Sequence, residues 1–237
     1  MILAAGVGSR LGPLTQSCPK ALIEVDGVPM LERVARRLVA AGVTEIIINV
    51  FHLAGQIEAF VEAKRGFGIR VNFSREEKLL DTGGGLKKAQ PFFSDGKPFF
   101  LHNVDVLSGL DLRAFLQAHL QRPTLASLAV RRRDTSRHYL FDREGLLRGR
   151  RAADKTTWAG KPADDAEGLA FDGIHVISPG IFPKMGETGA FSINETYLRL
   201  AASGEAIRAF RADQYSWLDI GSADRLDEAR LRARQTK

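Results

Sequence analysis

A glycine-rich turn near the N-terminus combines the residue types that bind phosphate. The turn contains Gly6, Gly8 and Arg10, and Lys20 follows it. Glycines accept positive φ and let peptide N–H groups approach an anion, whose charge the two cations would neutralise. The apolar run Met1–Ala5 predicts a buried strand before the turn. We therefore expect a phosphate cradle at the carboxyl end of a first strand.

Two carboxylates further along the chain could hold a cation. Asp105 ends the largely apolar run Phe99–Val104, and Asp219 follows Trp217 and Leu218. An acid at the end of a buried strand is costly unless it is paired or binds a cation. The two acids are more than a hundred residues apart in the chain, so only the fold could bring them together.

Neither of two common phosphate motifs matches the turn. A dinucleotide fingerprint would need a third glycine at position 11, where the chain has Leu11. A Walker A loop would need Gly-Lys-Ser/Thr at its end, which is missing here. A nicotinamide-dependent dehydrogenase is therefore disfavoured.

The longer pattern between residues 3 and 22 is more specific. It reads Leu-Ala-Ala-Gly-x-Gly-x-Arg-Leu-x-Pro-Leu-Thr, followed by Pro-Lys-x-Leu. This pattern resembles the sugar-1-phosphate nucleotidyltransferases, and the resemblance extends from Leu3 to about Ala229. Asp-Thr-Gly-Gly-Gly at 81–85 looks most like the N-acetylmuramate-1-phosphate uridylyltransferase branch. A mannose-1-phosphate guanylyltransferase is the alternative, and a non-catalytic nucleotide-sugar-binding regulator is a third hypothesis.

The resemblance implies a reaction and a set of site residues. An NTP and a sugar 1-phosphate would give a nucleotide diphosphate sugar and pyrophosphate, with Mg²⁺ as cofactor. Arg10 and Lys20 are the implied catalytic residues, and Asp105 and Asp219 the implied metal ligands. The implied nucleotide-binding residues are Leu3, Ala4, Ala5, Gly6, Gly8, Ser9, Arg10, Gly83, Gly84 and Asn103. The implied sugar-phosphate-binding residues are Lys20, Asn103, Gly173 and Lys161, with Lys155 as an alternative to Lys161. The chain departs from the family pattern at Val104, where relatives have glycine.

The elements that must position these residues alternate along the chain. Glu45–Val50 and the run 69–73 read as strands, and helices are expected near 30–41 and 54–64. Strands that alternate with helices predict an α/β fold with a Rossmann-like, doubly wound sheet. The family implies a mixed, mostly parallel sheet with a small sugar-binding subdomain. We expect a single domain over 1–237, with a nucleotide-binding half at about 1–120 and a sugar-binding half at about 121–237.

Composition sets broader expectations. Hydrophobic content is 44%, charged content is 26% and the formal net charge is +6. Excess arginines lie at 131–133, at 148–151 and after 224, and they match no nucleic-acid module, so we expect solvated surface and no nucleic-acid partner. Met1 enters the first strand directly and no run is long enough to span a bilayer, so we expect a cytoplasmic protein without membrane contact. We expect a monomer or a homodimer. We also expect Cys18 to be unreactive, His102 to be structural and Glu195 to belong to a helix capping box.

Overall fold

The computed structural model describes residues 1–235 of the chain. In chain order the strands are β1 (Ile2–Leu3), β2 (Glu24–Val25), β3 (Val28–Pro29), β4 (Glu45–Val50), β5 (Arg70–Arg75), β6 (Phe99–Asn103), β7 (Val106–Ser108), β8 (Ala126–Arg131), β9 (Arg137–Phe141), β10 (Leu147–Ala152), β11 (Lys155–Trp158), β12 (Glu167–Ile177), β13 (Ile207–Arg211) and β14 (Trp217–Asp219). The α-helices are α1 (Leu14–Ser17), α2 (Met30–Ala40), α3 (Ala54–Ala63), α4 (Asp81–Lys88), α5 (Leu112–Leu120), α6 (Ile193–Ala202) and α7 (Ala223–Gln235). Short 3-10 turns lie at Ser9–Leu11, Lys20–Leu22, Arg65–Gly68, Gln90–Phe92 and Pro179–Lys184.

The chain divides into two compact units, and neither is continuous in sequence. Unit 1 consists of residues 1–81, 102–109 and 216–237, and unit 2 of residues 82–101 and 110–215. The strand pairing is mixed, as the family resemblance implies: strands of the main sheet pair parallel in unit 1 and largely antiparallel in unit 2. From the sequence we expect a different division, into a nucleotide-binding half and a sugar-binding half that meet at about residue 120. That assignment of substrates stays a prediction.

In the part of the main sheet that lies in unit 1, neighbouring strands are parallel and their carboxyl ends lie along one edge. β1 lies between β4 and the end of β6, with Leu3 paired to both Asn49 and Asn103. β5 pairs with the other side of β4. Residues 46–50 are all buried, because β4 has neighbours on both sides and its β-branched side chains fill the faces of the sheet. The strand predicted at 45–50 is confirmed.

A second, two-stranded ladder in unit 1 is antiparallel. β14 pairs with β7, so that Trp217 faces Ser108 and Asp219 faces Val106. Apolar residues of α7 and of the segment 218–220 share one buried core cluster with the start of the chain, which contains Leu11, Ile23, Val25, Met30, Leu218, Ile220, Leu226 and Ala229. The ladder and α7 are thereby fixed beside the N-terminal turn.

Unit 2 is built on a long strand, β12. β8 and β9 pair with β12 antiparallel, β10 and β11 continue from β9, and β13 pairs parallel to β8. β11 lies in the polar stretch 150–167, whose sequence shows no clear strand or helix pattern. Asp111 is a residue type that predicts the start of a helix, and α5 begins directly after it. The Asp111 carboxylate accepts hydrogen bonds from the N–H groups of Arg113 and Ala114, both at 3.0 Å.

Candidate active site

The N-terminal turn needs glycine at position 8 for two reasons. Gly8 has φ +68°, which L side chains rarely adopt. A Cβ there would also lie 2.7 Å from Thr15 Cγ2 and 3.3 Å from Lys20 Cβ. Gly6 has open space around it, and Gly6, Ser9 and Arg10 are exposed. The turn therefore packs closely on its inner side and leaves its outer side open to a ligand.

Thr15 braces this turn, a role that sequence reasoning did not assign. Its hydroxyl contacts the carbonyl oxygens of Gly8 and Gly12, at 3.1 and 3.2 Å. Its own carbonyl accepts a hydrogen bond from His52 Nε2 at 3.0 Å. Gln56 Nε2 donates to the Ser17 carbonyl at 3.1 Å. The turn is thus held by its own threonine and by the region where α3 begins.

The fold brings the two predicted metal ligands together. Asp105 directly precedes β7, and Asp219 is the last residue of β14 and pairs with Val106. The Ile220 N–H also donates to the Asp105 carbonyl at 2.9 Å. Asp105 and Asp219 therefore occupy neighbouring positions at the same end of the ladder.

Lys20 forms an ion pair with one of these acids. Its ammonium group contacts Asp105 Oδ2, and the two side chains are 11% and 22% exposed. Because both groups are largely withdrawn from water, their attraction is weakly screened. Lys20 balances the Asp105 charge and lies beside Gly8 at the base of the turn.

Arg10 and Asp219 border one small space at Gly221. A Cβ at position 221 would lie 2.9 Å from Arg10 Nη2 and 2.7 Å from Asp219 Oδ1. The Gly221 N–H donates to the same carboxylate oxygen at 2.9 Å. Unit 1 therefore brings together Arg10, Lys20, Asp105 and Asp219. The two acids meet through the fold, as their separation in the sequence requires.

The donor set at this end of the ladder suits a hard cation. Two carboxylates on neighbouring positions are what Mg²⁺ takes from a protein when water and substrate phosphates supply its other ligands. In the part of the chain that the structure describes, no group of three His, Cys, Asp or Glu side chains could hold a metal by itself. A cation here would depend on substrate oxygens.

The structure accommodates valine at position 104, where the family pattern has glycine. Val104 is buried, and its N–H donates to the Leu3 carbonyl at 3.1 Å. Its φ is not positive, so valine fits without strain. His102 is buried too, its Nδ1 lies 2.8 Å from the Asn103 carbonyl, and burial lowers its pKa to about 4. A neutral, buried His102 agrees with the structural role expected for it.

From the sequence we place the three glycines at 83–85 between a strand and a short helix. In the structure this is wrong, because Gly83 and Gly84 lie inside helix α4 of unit 2. Their N–H groups donate to the Phe191 carbonyl, at 2.9 and 3.2 Å. A Cβ on Gly83 would lie 2.4 and 2.5 Å from atoms of the Phe191 ring. Both glycines are buried, and their N–H groups are already hydrogen-bonded within the protein.

Gly173 interrupts the largely apolar run 169–177, which predicts a bulge in a strand, and in the structure it lies at a break in β12. It has φ +78°, and the register of β12 against β8 shifts between Phe171 and His175.

Next to Gly173, the buried Asp172 carboxylate accepts hydrogen bonds from Arg131 Nε and Nη2, the shortest at 2.7 Å. Burial raises the pKa of Asp172, although Arg131 opposes that shift. The expectation of solvated arginines is wrong for Arg131, because a buried carboxylate requires a partner.

The remaining predicted residues lie on the surface or form caps. Lys155 is exposed in β11, and Lys161 is exposed after it. Ser192 caps α6 and Glu195 is exposed in the first turn. Burial and the nearby Glu24 raise the pKa of Cys18, as expected for an unreactive thiol. No helix among the described residues is long and apolar enough to cross a membrane.

Comparison with known sequences assigns the family. The nucleotidyl transferase family model matches residues 1–236. The chain is 32% identical to the N-acetylmuramate alpha-1-phosphate uridylyltransferase of Caulobacter vibrioides, over 98% of this chain and 96% of that protein. It is 31% identical to the protein of the same name from Neisseria meningitidis serogroup B, over 98% and 97%. A mannose-1-phosphate guanyltransferase of Yarrowia lipolytica is 28% identical, over 93% of this chain and 60% of that one.

Solved structures agree on the fold. HddC from Yersinia pseudotuberculosis, complexed with GMP-PN, superposes with a TM-score of 0.78 at 22% identity, over 98% of this chain and 97% of that one. A UDP-glucose pyrophosphorylase complexed with UDP-glucose gives 0.80 at 17% identity, over 100% and 98%. The family model and the two relatives that match over nearly their whole length show that the chain belongs to the nucleotidyl transferase family and, within it, to the sugar-1-phosphate nucleotidyltransferases.

Proposed function

We propose that the protein transfers a uridylyl group from UTP to a sugar 1-phosphate of the N-acetylmuramate type, releasing pyrophosphate. The observation that carries the chemistry is the grouping of Arg10 and Lys20 with Asp105 and Asp219 in unit 1. The proposal of UTP and of an N-acetylmuramate-type sugar is supported by the names of the two relatives that match over nearly their whole length.

The reaction needs no protein nucleophile. The sugar phosphate is already anionic and attacks the α-phosphorus of the NTP, while the bond to pyrophosphate breaks. Catalysis then consists of positioning the two substrates and of neutralising charge that moves to the leaving group. Arg10 would bind the β and γ phosphates, and Lys20 would bind the α-phosphate and the sugar phosphate. The turn of Gly6, Gly8 and Ser9 would hold the triphosphate.

Asp105 and Asp219 would hold Mg²⁺, which the donor set fits. When bound, the cation neutralises and orients phosphate oxygens. Within their ion pair, the charges of Lys20 and Asp105 compensate each other. Leu3, Ala4, Ala5, Gly83, Gly84 and Asn103 remain proposed nucleotide contacts, and Gly173 and Lys161 proposed sugar-side contacts. A cytoplasmic location and a monomeric or homodimeric state stay predictions.

One experiment tests the assignment. Pyrophosphate release is measured with four NTPs against several sugar 1-phosphates, with and without Mg²⁺. We expect UTP with N-acetylmuramate 1-phosphate to react fastest, and only with the cation. Arg10→Ala and Lys20→Ala should each lower turnover by about 10²-fold or more, since each removes a contact to moving charge. Lys97→Ala is the matched control, because Lys97 is an exposed lysine of unit 2.

The other outcomes separate the alternatives. Preference for GTP and mannose 1-phosphate would replace the uridylyltransferase assignment with the guanylyltransferase. Absence of turnover with every pair, in a protein that still binds nucleotide, would favour the regulator. Full activity of Lys20→Ala would refute the role given to that lysine.

A further inference from the structure

A buried chain of hydrogen bonds links two backbone segments of unit 1. The Ala4 N–H donates to Asn49 Oδ1 at 2.8 Å. Asn49 Nδ2 donates to Glu76 Oε1, also at 2.8 Å. The Leu80 N–H donates to the second carboxylate oxygen, Glu76 Oε2, at 2.9 Å. Two side chains thereby hold two peptide groups that are far apart in sequence.

These two side chains are costly to bury, which calls for a role beyond packing. Asn49 is 3% exposed and Glu76 is 7% exposed. Asn49 interrupts the otherwise apolar run 46–50 of β4. A buried carboxylate is retained only when hydrogen bonds compensate for its lost hydration. Here the compensation comes from one amide side chain and one peptide N–H.

The two peptide groups belong to segments that the proposed function uses. Ala4 lies between β1 and the phosphate-binding turn. Leu80 precedes Asp81, a non-glycine residue with φ +59°, from which the chain enters α4 and its glycines. A left-handed residue at this point must be held by its surroundings. The Glu76 carboxylate contributes by holding the Leu80 N–H, one residue before Asp81.

We propose that Asn49 and Glu76 are positioning residues for the NTP. They do not contact the NTP themselves but hold the backbone at Ala4 and Leu80, next to the segments that bind it. The inference rests on the proposed function for the identity of the substrate. It predicts that loss of the network weakens NTP binding selectively and leaves the sugar 1-phosphate unaffected.

The order of donors and acceptors permits a stringent test by exchange. Glu76→Gln places an amide where two N–H groups point at a carboxylate, so one of the hydrogen bonds is lost. Asn49→Asp places two carboxylates face to face. The double variant Asn49→Asp/Glu76→Gln restores all three hydrogen bonds with one carboxylate in total, because the acid and the amide have exchanged places. Ser127→Ala is the control, since it removes a buried hydrogen bond to His119 in unit 2.

Steady-state kinetics and direct titration with UTP and with GTP give the readouts. We expect each single variant to raise the KM and Kd of the preferred NTP about tenfold, the equivalent of one hydrogen bond, with the KM of the sugar phosphate within about twofold. The double variant should return both constants to within about threefold of the original protein. Ser127→Ala should lower the melting temperature without changing the KM of the NTP.

Equal changes in both KM values, unchanged NTP binding in the single variants, or no recovery in the double variant would each overturn the proposal. If the carboxylate pair of Asn49→Asp prevents folding, Asn49→Ser breaks the same hydrogen bonds without a second charge, and the ratio of KM values decides. Because binding is titrated without turnover, a failure of the proposed reaction stays distinguishable from a failure of the network. Wild-type protein that binds an NTP but releases no pyrophosphate refutes the reaction alone.

Discussion

Gly221 and Gly8 illustrate two different reasons for a glycine in one site. Gly8 has a backbone conformation that L side chains avoid, in addition to a close contact. Gly221 has an ordinary φ, and what excludes a side chain is the Asp219 carboxylate and the Arg10 guanidinium around it. A substitution at Gly221 should therefore disturb charge placement and leave the backbone unstrained.

We expect Gly221→Ala to lower turnover by about 10²-fold with a small change in stability. The added methyl group would meet Asp219 Oδ1 at 2.7 Å and Arg10 Nη2 at 2.9 Å, so one of the two must move. Displacements of about 1 Å in a positioned site have effects of this size. Steady-state kinetics and a melting curve on the same preparation measure both quantities.

Gly186→Ala is the control for this variant, because no atom lies within 4 Å of its added methyl group. It should keep normal turnover. Normal turnover of Gly221→Ala as well would mean that the placement of Arg10 and Asp219 in the structure does not matter for the reaction.

At the scale of elements, α4 illustrates how packing can override helix propensity. Glycine is a poor helix former, yet α4 contains three in succession. Gly83 is needed because the Phe191 ring lies directly against the helix backbone, and the Phe191 carbonyl accepts hydrogen bonds from the helix start. The gain from close packing in unit 2 outweighs the entropy that three glycines lose.

We expect Gly83→Ala to destabilise the protein by about 1–3 kcal/mol, the usual effect of overpacking. Helix propensity alone predicts the opposite sign, since alanine is favoured over glycine by about 1 kcal/mol. Gly55→Ala in α3 tests that term by itself, because its methyl group meets nothing within 4 Å. Chemical denaturation should show opposite signs for the two variants.

The contact with Phe191 can be tested separately. Phe191→Leu shortens the side chain that the added methyl group would meet. Combined with Gly83→Ala it should recover part of the lost stability. Independent, additive effects of the two changes would exclude the ring contact as the cause.

At the scale of the whole molecule, buried His119 makes the unfolding equilibrium depend on pH. Its ring nitrogens contact the hydroxyl groups of Ser127 and Ser178, both at 2.9 Å. The Ser178 hydroxyl also donates to the Thr124 carbonyl at 2.8 Å, so it accepts from His119 Nε2. Burial lowers the pKa of His119 to about 4, which keeps the folded ring neutral.

We expect His119 to weaken the protein as the pH falls from about 6.5 to about 4. In that window the unfolded ring binds a proton and the folded ring does not, so protons favour unfolding by up to about 1.4 kcal/mol per pH unit. Urea denaturation at several pH values gives the free energy of unfolding as a function of pH. The slope of that free energy against pH should be smaller for His119→Gln. Carboxylates titrate alike in both proteins, so identical slopes would show that His119 is protonated in the folded state.

The sequence by itself determined most of the local structure. The run of isoleucines predicts β4 and Asp111 predicts the start of α5, and both are confirmed. The phosphate-binding role of the turn with Gly6, Gly8, Arg10 and Lys20 stays a prediction. These features depend on residues within a few positions of one another, where chain geometry and side-chain period leave few choices. The resemblance of the motif to a family extended this local information to a reaction.

Only the tertiary structure decided which distant residues meet. Asp219 comes beside Asp105 through the pairing of β14 with β7, and Asn49 reaches Glu76 through neighbouring strands. The arginines around Arg131 in the sequence predict an exposed side chain. In the structure Arg131 is buried, because it forms an ion pair with the buried Asp172. Long-range pairing depends on how whole elements bury their apolar faces, and the spacing of residues within one segment carries no record of that choice.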